Sequence, residues 1–347
     1  MPGYPTVDNE TRVDLNVLLS QVCSVFERCG MSVEDAHQLA VSLVIADARG
    51  VHSHGVLRVP DYVKKLTLEG VNPRGRPFIA RDSGAVLVVD GDNAMGQLAC
   101  HFAMTRVIER AESSGIAAAG IRGSNHCGAL FYFAMMALPH DMIGIATTNA
   151  LPTMAPWGGR DKILGINPLA VAIPAAQEPP IVLDAAFSAS SHGKIRVFHQ
   201  KGVHIPEGWA FDKNGHPTTD TTKAIEGLLQ PIGEYKGTGL AIVMGILSSM
   251  LSGAAFGTEL GNMVEGPKPG LDGHFVMAFK IGAFEDPQRF KERVDGVVRQ
   301  IRESRPAPGF ERCYAPGELE YLIEQRHRRD GIPLNAETIA GLEAVLY

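Results

Sequence analysis

The sequence predicts an α/β protein in which helical segments from both ends of the chain flank a central sheet. Apolar residues recur at helical spacing near both ends, and a strand–helix–strand pattern lies between residues 85 and 121. Short apolar runs separated by Gly, Pro and Asn fill the middle of the chain, which is typical of strands joined by loops. The length of 347 residues fits one large or two medium domains, so these patterns decide the fold class.

Three helices are predicted before the sheet begins. The first covers Asp14–Cys29, where apolar residues repeat at helical spacing. Ser32 and Asp35 resemble the N-cap and the early acidic residue of a second helix, which ends before Gly50. The third covers Val59–Leu68.

The middle of the chain is predicted to supply the strands. A β-rich run at Ala85–Val89, a helical pattern at Gln97–Ser114 and a buried strand at Ile116–Ile121 form one strand–helix–strand unit. A helix is predicted over Gly128–Leu138. Further strands are predicted at Met142–Thr148, Leu169–Ile173, Ile181–Asp184 and His274–Ile281.

The remaining helices lie in the second half of the chain. Gly237–Ser252 is almost entirely apolar, which predicts a buried helix. Asp286 and Pro287 are typical of the N-cap and first position of an amphipathic helix. Two more helices, Glu318–Arg329 and Asn335–Leu346, close the chain.

We find no internal repeat, low-complexity segment or linker in the sequence, so we expect residues 1–347 to form one continuous unit. Within it we distinguish an N-terminal helical part (1–80), a sheet-rich core (81–285) and a C-terminal helical part (286–347).

Composition argues against several classes of partner. The chain has 45% apolar and 20% charged residues, as globular proteins do, and its net charge of −6 argues against nucleic acid. Its most apolar stretch, Leu240–Leu251, is too short and too interrupted by glycine to span a bilayer, so no membrane partner is expected.

Cysteine usage indicates a reducing environment. The five cysteines are an odd number without a CxxC pair, which argues against a disulfide framework and a structural zinc site. No basic-then-apolar secretion signal opens the sequence. We therefore expect a cytoplasmic protein.

The usual phosphate-binding motifs are absent from the sequence. No G-x-G-x-x-G follows a strand, and no G-x-x-x-x-G-K-[ST] occurs. At Lys236–Gly239 a lysine precedes small residues that open a helix, an arrangement able to offer backbone N–H groups and a cation to an anion. Taken alone, these residues have a simpler interpretation as a flexible loop entering a tightly packed helix.

The segment His52–Gly55, with Arg58 three residues later, combines imidazole and guanidinium groups. Oxidation of a hydroxy acid needs such a pair, because a histidine exchanges the hydroxyl proton and an arginine grips the carboxylate with two hydrogen bonds. The alternatives are loop-capping histidines beside a surface arginine, and a metal-binding histidine pair. No third ligand lies at a recognisable spacing, so no metal site is predicted.

A second candidate loop, Ser124–Gly128, follows a buried strand and precedes a helix. The helix dipole there favours the neutral form of His126, which suits a base or a hydrogen-bond donor. Cys127 is either a nucleophile or, more commonly for such a residue, a packed side chain. Asp184, at a strand end, is suited to bind a ribose hydroxyl, to orient a histidine or to cap the backbone.

Eight segments spread over nearly the whole chain carry a family resemblance. They are ADARGVHSHGVLRVPDY (Ala46–Tyr62), SNHCG (Ser124–Gly128), IGIATTNALPTMAPWGG (Ile143–Gly159), LGINPLAVAIP (Leu164–Pro174), GKI (Gly193–Ile195), IPEGWAFDKNGHPTTD (Ile205–Asp220), YKGTGLA (Tyr235–Ala241) and APGELE (Ala315–Glu320). Together they resemble the malate/L-lactate dehydrogenase-like oxidoreductases. That family also includes ureidoglycolate dehydrogenase, diketogulonate reductase, sulfolactate dehydrogenase and reductases of cyclic imino acids.

The resemblance implies a non-Rossmann, mixed-sheet fold in which a dinucleotide lies extended across the sheet, so residues 81–285 would be the cofactor-binding core. It implies NAD as the cofactor, with NADP left open, and a homodimer whose partner chains contribute to each site. It assigns the acid/base role to His54 in some members and to His126 in others, and carboxylate binding to Arg58. The implied cofactor contacts are Asn149, Pro180, Ile181, Val182, Leu183, Asp184, Ala185, Ala186, Tyr235, Lys236, Gly317, Glu318 and Leu319.

The resemblance also predicts the reaction, a hydride transfer between nicotinamide and C2 of a small 2-hydroxy or 2-oxo acid of the malate, lactate or ureidoglycolate type. Reduction of a cyclic imino acid such as piperideine-2-carboxylate is the alternative, and ring-sized space near Cys127–Phe131 would distinguish it. A more distant alternative is a non-catalytic dinucleotide-binding protein. It is suggested by two departures from the family pattern, Phe187 in place of a small polar residue and Ile166 within the customary G-T-N-P.

Overall fold

The computed structural model describes residues 10–200 and 202–346, which form helices packed on a mixed sheet. The helices are α1 (Leu15–Arg28), α2 (Val33–Ala48), α3 (Val59–Thr67), α4 (Gly96–Ser114), α5 (Phe131–Met135), α6 (His192–Gln200), α7 (Thr221–Glu226), α8 (Tyr235–Ser248), α9 (Pro287–Arg302), α10 (Glu318–Asp330) and α11 (Ala336–Leu346). The strands are β1 (Glu10–Val13), β2 (Phe78–Asp82), β3 (Val86–Asp90), β4 (Ile116–Ser124), β5 (Met142–Thr148), β6 (Pro152–Met154), β7 (Leu164–Gly165), β8 (Leu169–Ile173), β9 (Ile181–Ala185), β10 (Ala210–Phe211), β11 (Pro217–Thr218), β12 (Leu228–Leu229), β13 (Asp272–Lys280) and β14 (Ile332–Asn335).

The predicted helix starts are confirmed by their capping side chains. Asp14 accepts hydrogen bonds from the backbone N–H groups of Asn16 and Val17 at the start of α1. Ser32 accepts one from Asp35 at the start of α2, and Asp286 caps α9 ahead of Pro287. Such caps satisfy backbone donors that a helix leaves unpaired in its first turn.

The central sheet has seven strands in the order β2-β3-β4-β13-β5-β8-β9. Strands β3 and β4 are parallel and joined through α4, which confirms the strand–helix–strand prediction, and every other neighbouring pair is antiparallel. Strand β2 was not predicted, since only one of its five residues is even partly shielded and it lacks apolar alternation. Strand β9 lies at the far edge, with one side unpaired by any other strand of the described chain.

The two ends of the described chain meet. Strand β1 pairs antiparallel with β14, so that Glu10 lies opposite Asn335. Helices α1, α2, α3 and α11 share one apolar core, into which both Phe26 and Leu342 are buried. This core joins the N-terminal and C-terminal helical parts. The divisions after residues 80 and 285 stay predictions.

The prediction that the apolar helix near residues 237–252 is buried is wrong. Only one face of α8 packs against the protein, and it carries the small residues Gly237, Thr238, Ala241, Gly245 and Ser248. The opposite face exposes large apolar side chains, among them Leu240, Val243 and Ile246. Small residues let the helix lie close to the sheet, and the larger ones remain on the surface. Within residues 10–200 and 202–346, no helix has both the length and the hydropathy of a membrane span.

The helix predicted over Gly128–Leu138 is also shorter than expected. Regular α-helix covers only Phe131–Met135, and a single 3₁₀ turn follows at Leu138–His140. Gly128 has a left-handed backbone (φ 77°), which keeps the start of this segment out of the helix.

Candidate active site

A cavity of about 210 Å³ lies where α2, the sheet edge and the start of α10 meet. Residues from the N-terminal helical part, the sheet-rich core and the C-terminal helical part line it: Arg49, Val51, Ser53, His54, Gly128, Ala129, Leu130, Phe131, Ile166, Pro168, Val182, Asp184, Ala186, Gly317 and Glu320. The cavity therefore brings the predicted His54 to the same space as the predicted cofactor strand β9 and Gly317.

The loop that carries His54 is held by a buried carboxylate at the end of α2. Asp47 is 1% exposed and accepts hydrogen bonds from the backbone N–H of Val56 (2.7 Å) and from Nδ1 of His52 (2.7 Å). A Cβ on Gly55 would lie 2.2 Å from this carboxylate, so only glycine fits there. His52 thus has the loop-holding role that was one alternative for the histidine pair, while His54 is left to face the cavity.

His126 lies behind His54, and their rings stack with centroids 5.7 Å apart and an interplanar angle of 14°. The amide of Gln97 donates to the Tyr62 hydroxyl (3.0 Å), which lies 2.7 Å from Nδ1 of His126. The backbone N–H of Gly128 also points at Nδ1 (3.3 Å). Because Nδ1 accepts these bonds, the proton of neutral His126 is on Nε2.

Both histidines are neutral at physiological pH. Burial, together with the positive charge of Arg58, lowers the pKa of His54 to about 4. Burial lowers the pKa of His126 well below its usual range, with further contributions from His54 and Arg58. A neutral imidazole next to a fixed cation is ready to accept a proton as soon as an anionic ligand compensates the cation.

Arg58 extends along the same loop. Its Nε donates to the backbone carbonyl of Ser53 (2.8 Å), and Nη1 makes only a long contact of 3.4 Å with Asp61. Within the described chain no residue accepts a hydrogen bond from Nη2. Part of the guanidinium therefore remains available for a carboxylate.

The opposite wall of the cavity is the edge strand β9 with the segment that precedes α10. The backbone N–H of Val182 donates to the carbonyl of Pro316 (2.9 Å) across this edge. Gly317 has φ 81°, and a Cβ there would lie 2.7 Å from the carbonyl oxygen of Val182. The carboxylate of Asp184 accepts a hydrogen bond from the backbone N–H of Phe131 (2.8 Å), so it caps the start of α5.

Comparison with known proteins identifies the family. The profile described as malate/L-lactate dehydrogenase matches residues 13–343. The chain belongs to this family. It is 36% identical over 346 residues to a malate dehydrogenase from Pyrococcus abyssi, a match that covers 97% of this chain and 95% of the relative.

Two further relatives support the assignment. A protein named ureidoglycolate dehydrogenase (NAD(+)) from Escherichia coli K12 is 33% identical over 309 residues, which are 88% of each chain. The solved structure of a sulfolactate dehydrogenase from Methanocaldococcus jannaschii has a TM-score of 0.91 at 35% identity and covers 96% of each chain. The chain is thus an oxidoreductase of the dehydrogenase type with a nicotinamide cofactor, and its predicted mixed-sheet fold is confirmed.

Not all of the predicted cofactor residues reach the cavity. Asn149 binds backbone groups through both ends of its amide, the carbonyl of Ala255 and the N–H of Gly273. The carboxylate of Glu318 is buried and taken by Arg302, Arg312 and the N–H of Ala315. The side chains of Asn149 and Glu318 therefore brace the backbone.

Tyr235 and Lys236 lie exposed at the first turn of α8, outside the cavity lining. The next residue, Gly237, packs closely against the backbone of Phe187, which follows β9 in the chain. The pair consequently lies beside the end of the edge strand. Leu319 is exposed, one residue into α10.

The two departures from the family pattern are neighbours in the fold. The backbone N–H of Phe187 donates to the carbonyl of Ile166 (3.1 Å), and both side chains belong to one apolar cluster. Phe187 is buried, while Ile166 lines the cavity. Together they form a packed apolar contact beside the cavity, and His54 lies on its opposite wall.

Sequence reasoning missed four residues that shape the site: Asp47, Arg49, Tyr62 and Gln97. Asp47 and Arg49 are charged residues at the end of an otherwise apolar helix pattern, and that was the available signal. Arg49 is almost fully buried and forms a salt bridge with Glu324 (2.9 Å), and its guanidinium lies over the ring of Phe131. Tyr62 and Gln97 gave no such signal, because their link to His126 exists only in the folded chain.

We expect the fit between Gly317 and β9 to be measurable as stability. Gly317→Ala adds a Cβ against the backbone of Val182, and such overpacking costs about 1–3 kcal/mol. Gly309→Ala is the matched control, since Gly309 has the same left-handed backbone (φ 87°) but nothing within 4 Å of its Cβ position. Thermal unfolding should show a clearly lower Tm for the first variant than for the second, and equal Tm values would contradict the contact.

Proposed function

We propose that this enzyme is an NAD-dependent dehydrogenase that transfers a hydride between nicotinamide and C2 of a small 2-hydroxy or 2-oxo acid. The observation that carries the proposal is the shared cavity. A neutral histidine, His54, faces the edge strand β9 and Gly317 across it, and Arg58 lies four residues further along the same loop, outside the cavity lining. This is the set of groups that proton exchange and carboxylate binding require.

The roles follow from the chemistry of each group. In the oxidative direction His54 accepts the hydroxyl proton of the substrate while Arg58 holds the carboxylate, and in the reductive direction protonated His54 returns the proton to the carbonyl oxygen. Nicotinamide, when bound, accepts or supplies the hydride. The positive charge of Arg58 favours a substrate anion next to the histidine.

His54 is the better candidate for the acid/base of the two histidines. It lines the cavity, whereas Nδ1 of His126 is occupied by Tyr62 and by the N–H of Gly128. Neutral His126 carries its proton on Nε2, so it can donate a hydrogen bond but cannot accept a proton there. We assign to His126 the positioning of the His54 ring, with which it stacks.

The cofactor would lie along the sheet edge. A cavity of about 210 Å³ suits a nicotinamide ring with a small acid, so the rest of a dinucleotide must extend outside it.

Antiparallel pairing alternates the direction of backbone N–H groups along the edge strand β9. Since the N–H of Val182 points outward to Pro316, that of Asp184 points outward as well and is suited to bind a cofactor oxygen. Exposed Lys236, beside the end of the strand, suits a phosphate.

The apolar outer face of α8 supports a homodimer. Leu240, Val243 and Ile246 on this face, with Met250 and Leu251 just after the helix, are all more than 40% exposed and form an apolar surface of the kind that subunit interfaces cover. A second copy of this chain is the partner we propose for it. The five free cysteines fit a reducing, cytoplasmic location.

A substrate panel tests the function. We expect 2-oxo acids to be reduced at the expense of NADH, followed at the nicotinamide absorbance, with slower turnover of NADPH. Cyclic imines such as piperideine-2-carboxylate form the second arm, because Gly128, Ala129, Leu130 and Phe131, where space for a ring would distinguish the two substrates, line the cavity. Turnover of imines alone would favour the alternative, and no turnover of either class would contradict the proposal.

The pH dependence of oxidation tests the role of His54. Only neutral His54 accepts a proton, so kcat/KM should be constant at neutral pH and fall as the pH drops through about 4. An ordinary histidine would place this decline near pH 6.5. His54→Gln should lower kcat by about 10²–10⁴-fold and abolish the decline, whereas His126→Gln should be milder and keep it. The rates near pH 4 are recorded in brief pH jumps, which limit unfolding. If His126→Gln loses turnover and the decline while His54→Gln keeps both, His126 is the acid/base.

Replacement of Arg58 tests carboxylate binding. A lysine lacks the two-pronged contact, and loss of a hydrogen bond to a charged group costs about 1.5–3 kcal/mol, so KM for the acid should rise about 10–100-fold in Arg58→Lys. The cofactor Kd should change little. Arg106→Lys, at an exposed pair with Glu109, is the control. Equal losses of acid and cofactor affinity would show a purely structural role for Arg58.

A further inference from the structure

Three side chains of the types that can bind a metal ion converge in the core behind His126. Cys100 comes from α4, Cys127 from the loop after β4, and His274 from β13. Their ligand atoms all lie within 4.8 Å of one another, and none of the three residues is more than 2% exposed. Neither cysteine lines the cavity or forms a disulfide, so the proposed reaction leaves this cluster unexplained.

We propose that Cys100, Cys127 and His274 form a buried binding site for a thiophilic divalent cation of the zinc class. Thiolate and imidazole are the ligands that such ions prefer. Two thiolates and a neutral imidazole carry two negative charges, which a divalent ion neutralises. A monovalent ion would leave one charge buried without a partner, and that is costly in a protein interior.

The surroundings can complete a four-coordinate site. The hydroxyl of Thr148 lies 2.8 Å from Nδ1 of His274, and that of Ser124 lies 2.8 Å from Nε2. Thr148 has other hydrogen-bond partners, the carbonyls of Asn149 and Gly273, so it can release the imidazole or serve as a fourth ligand. Tetrahedral zinc holds two sulfur ligands roughly 3.8 Å apart and a sulfur and a nitrogen roughly 3.6 Å apart, so ligand atoms within 4.8 Å of one another need to approach by about 1 Å.

Binding would brace the loop that carries His126. The ion replaces the two thiol protons, which leave to solvent, and it joins α4, the loop and β13 at one point. Because Cys127 is the next residue after His126, this joint would fix the histidine that stacks on His54. The site is structural and lies outside the substrate cavity. The spacing 100, 127 and 274 has no sequence signature, which is why the sequence predicted no metal.

The test uses the full chain expressed in cultures supplemented with zinc or with cobalt, because a closed core is best loaded during folding. After dialysis against a weak chelator, we expect close to one equivalent of metal per chain. The cobalt form should show thiolate-to-metal charge-transfer absorbance, which a site built of oxygen and imidazole lacks. A wild type without bound metal and without these bands would overturn the proposal, and this outcome needs no variant.

Two cysteine replacements and a control locate the site. Cys100→Ala and Cys127→Ala should each lose the metal and the absorbance bands, whereas Cys23→Ala, outside the cluster, should keep both. Wild type from the zinc-supplemented culture should have a higher Tm than wild type expressed in metal-depleted medium, and Cys100→Ala should have the same Tm from both. Retention of metal by the first two variants, or its loss from the control, would contradict the assignment.

Discussion

The site depends on one buried carboxylate, that of Asp47. A carboxylate in the interior is stable only if its oxygens are hydrogen-bonded, and here the backbone of Val56 and the ring of His52 supply those bonds. Both donors belong to the loop that carries His54 and Arg58, so satisfying Asp47 fixes that loop to the end of α2. The lack of a side chain at Gly55 is what allows the carboxylate to come so close.

The same principle operates on the opposite wall. Glu318 is buried and binds two arginines and a backbone N–H, which holds the segment before α10 against β9. Two buried acids, one near each end of the chain, therefore position the two walls of a single cavity. Neither acid needs to contact a ligand to be essential for the arrangement of the groups that do.

The fold could be read from the sequence where a local pattern decides the structure. Capping residues such as Ser32 and Asp286 marked helix starts, and β5 and β8 were predicted to the residue because continuous apolar runs define them. The prediction for α8 was wrong because overall apolarity does not tell which face of a helix packs against the protein. The small residues on one face and the large ones on the other carry that information. Among the site residues, His54 and Arg58 share one short motif, whereas the link from Gln97 through Tyr62 to His126 joins three distant segments and has no local signature.

The pairing of β1 with β14 has a consequence for biosynthesis. The cavity draws Arg49 from the first part of the chain and Gly317 and Glu320 from the last, and the shared core of α1, α2, α3 and α11 includes Leu342. A ribosome delivers these pieces in order, so the N-terminal helices keep part of their apolar faces exposed until Leu342 and the rest of α11 have left the exit tunnel. The cavity of the nascent enzyme is therefore incomplete until Gly317 and Glu320 have been synthesised, and during this interval its unpaired apolar faces are open to aggregation.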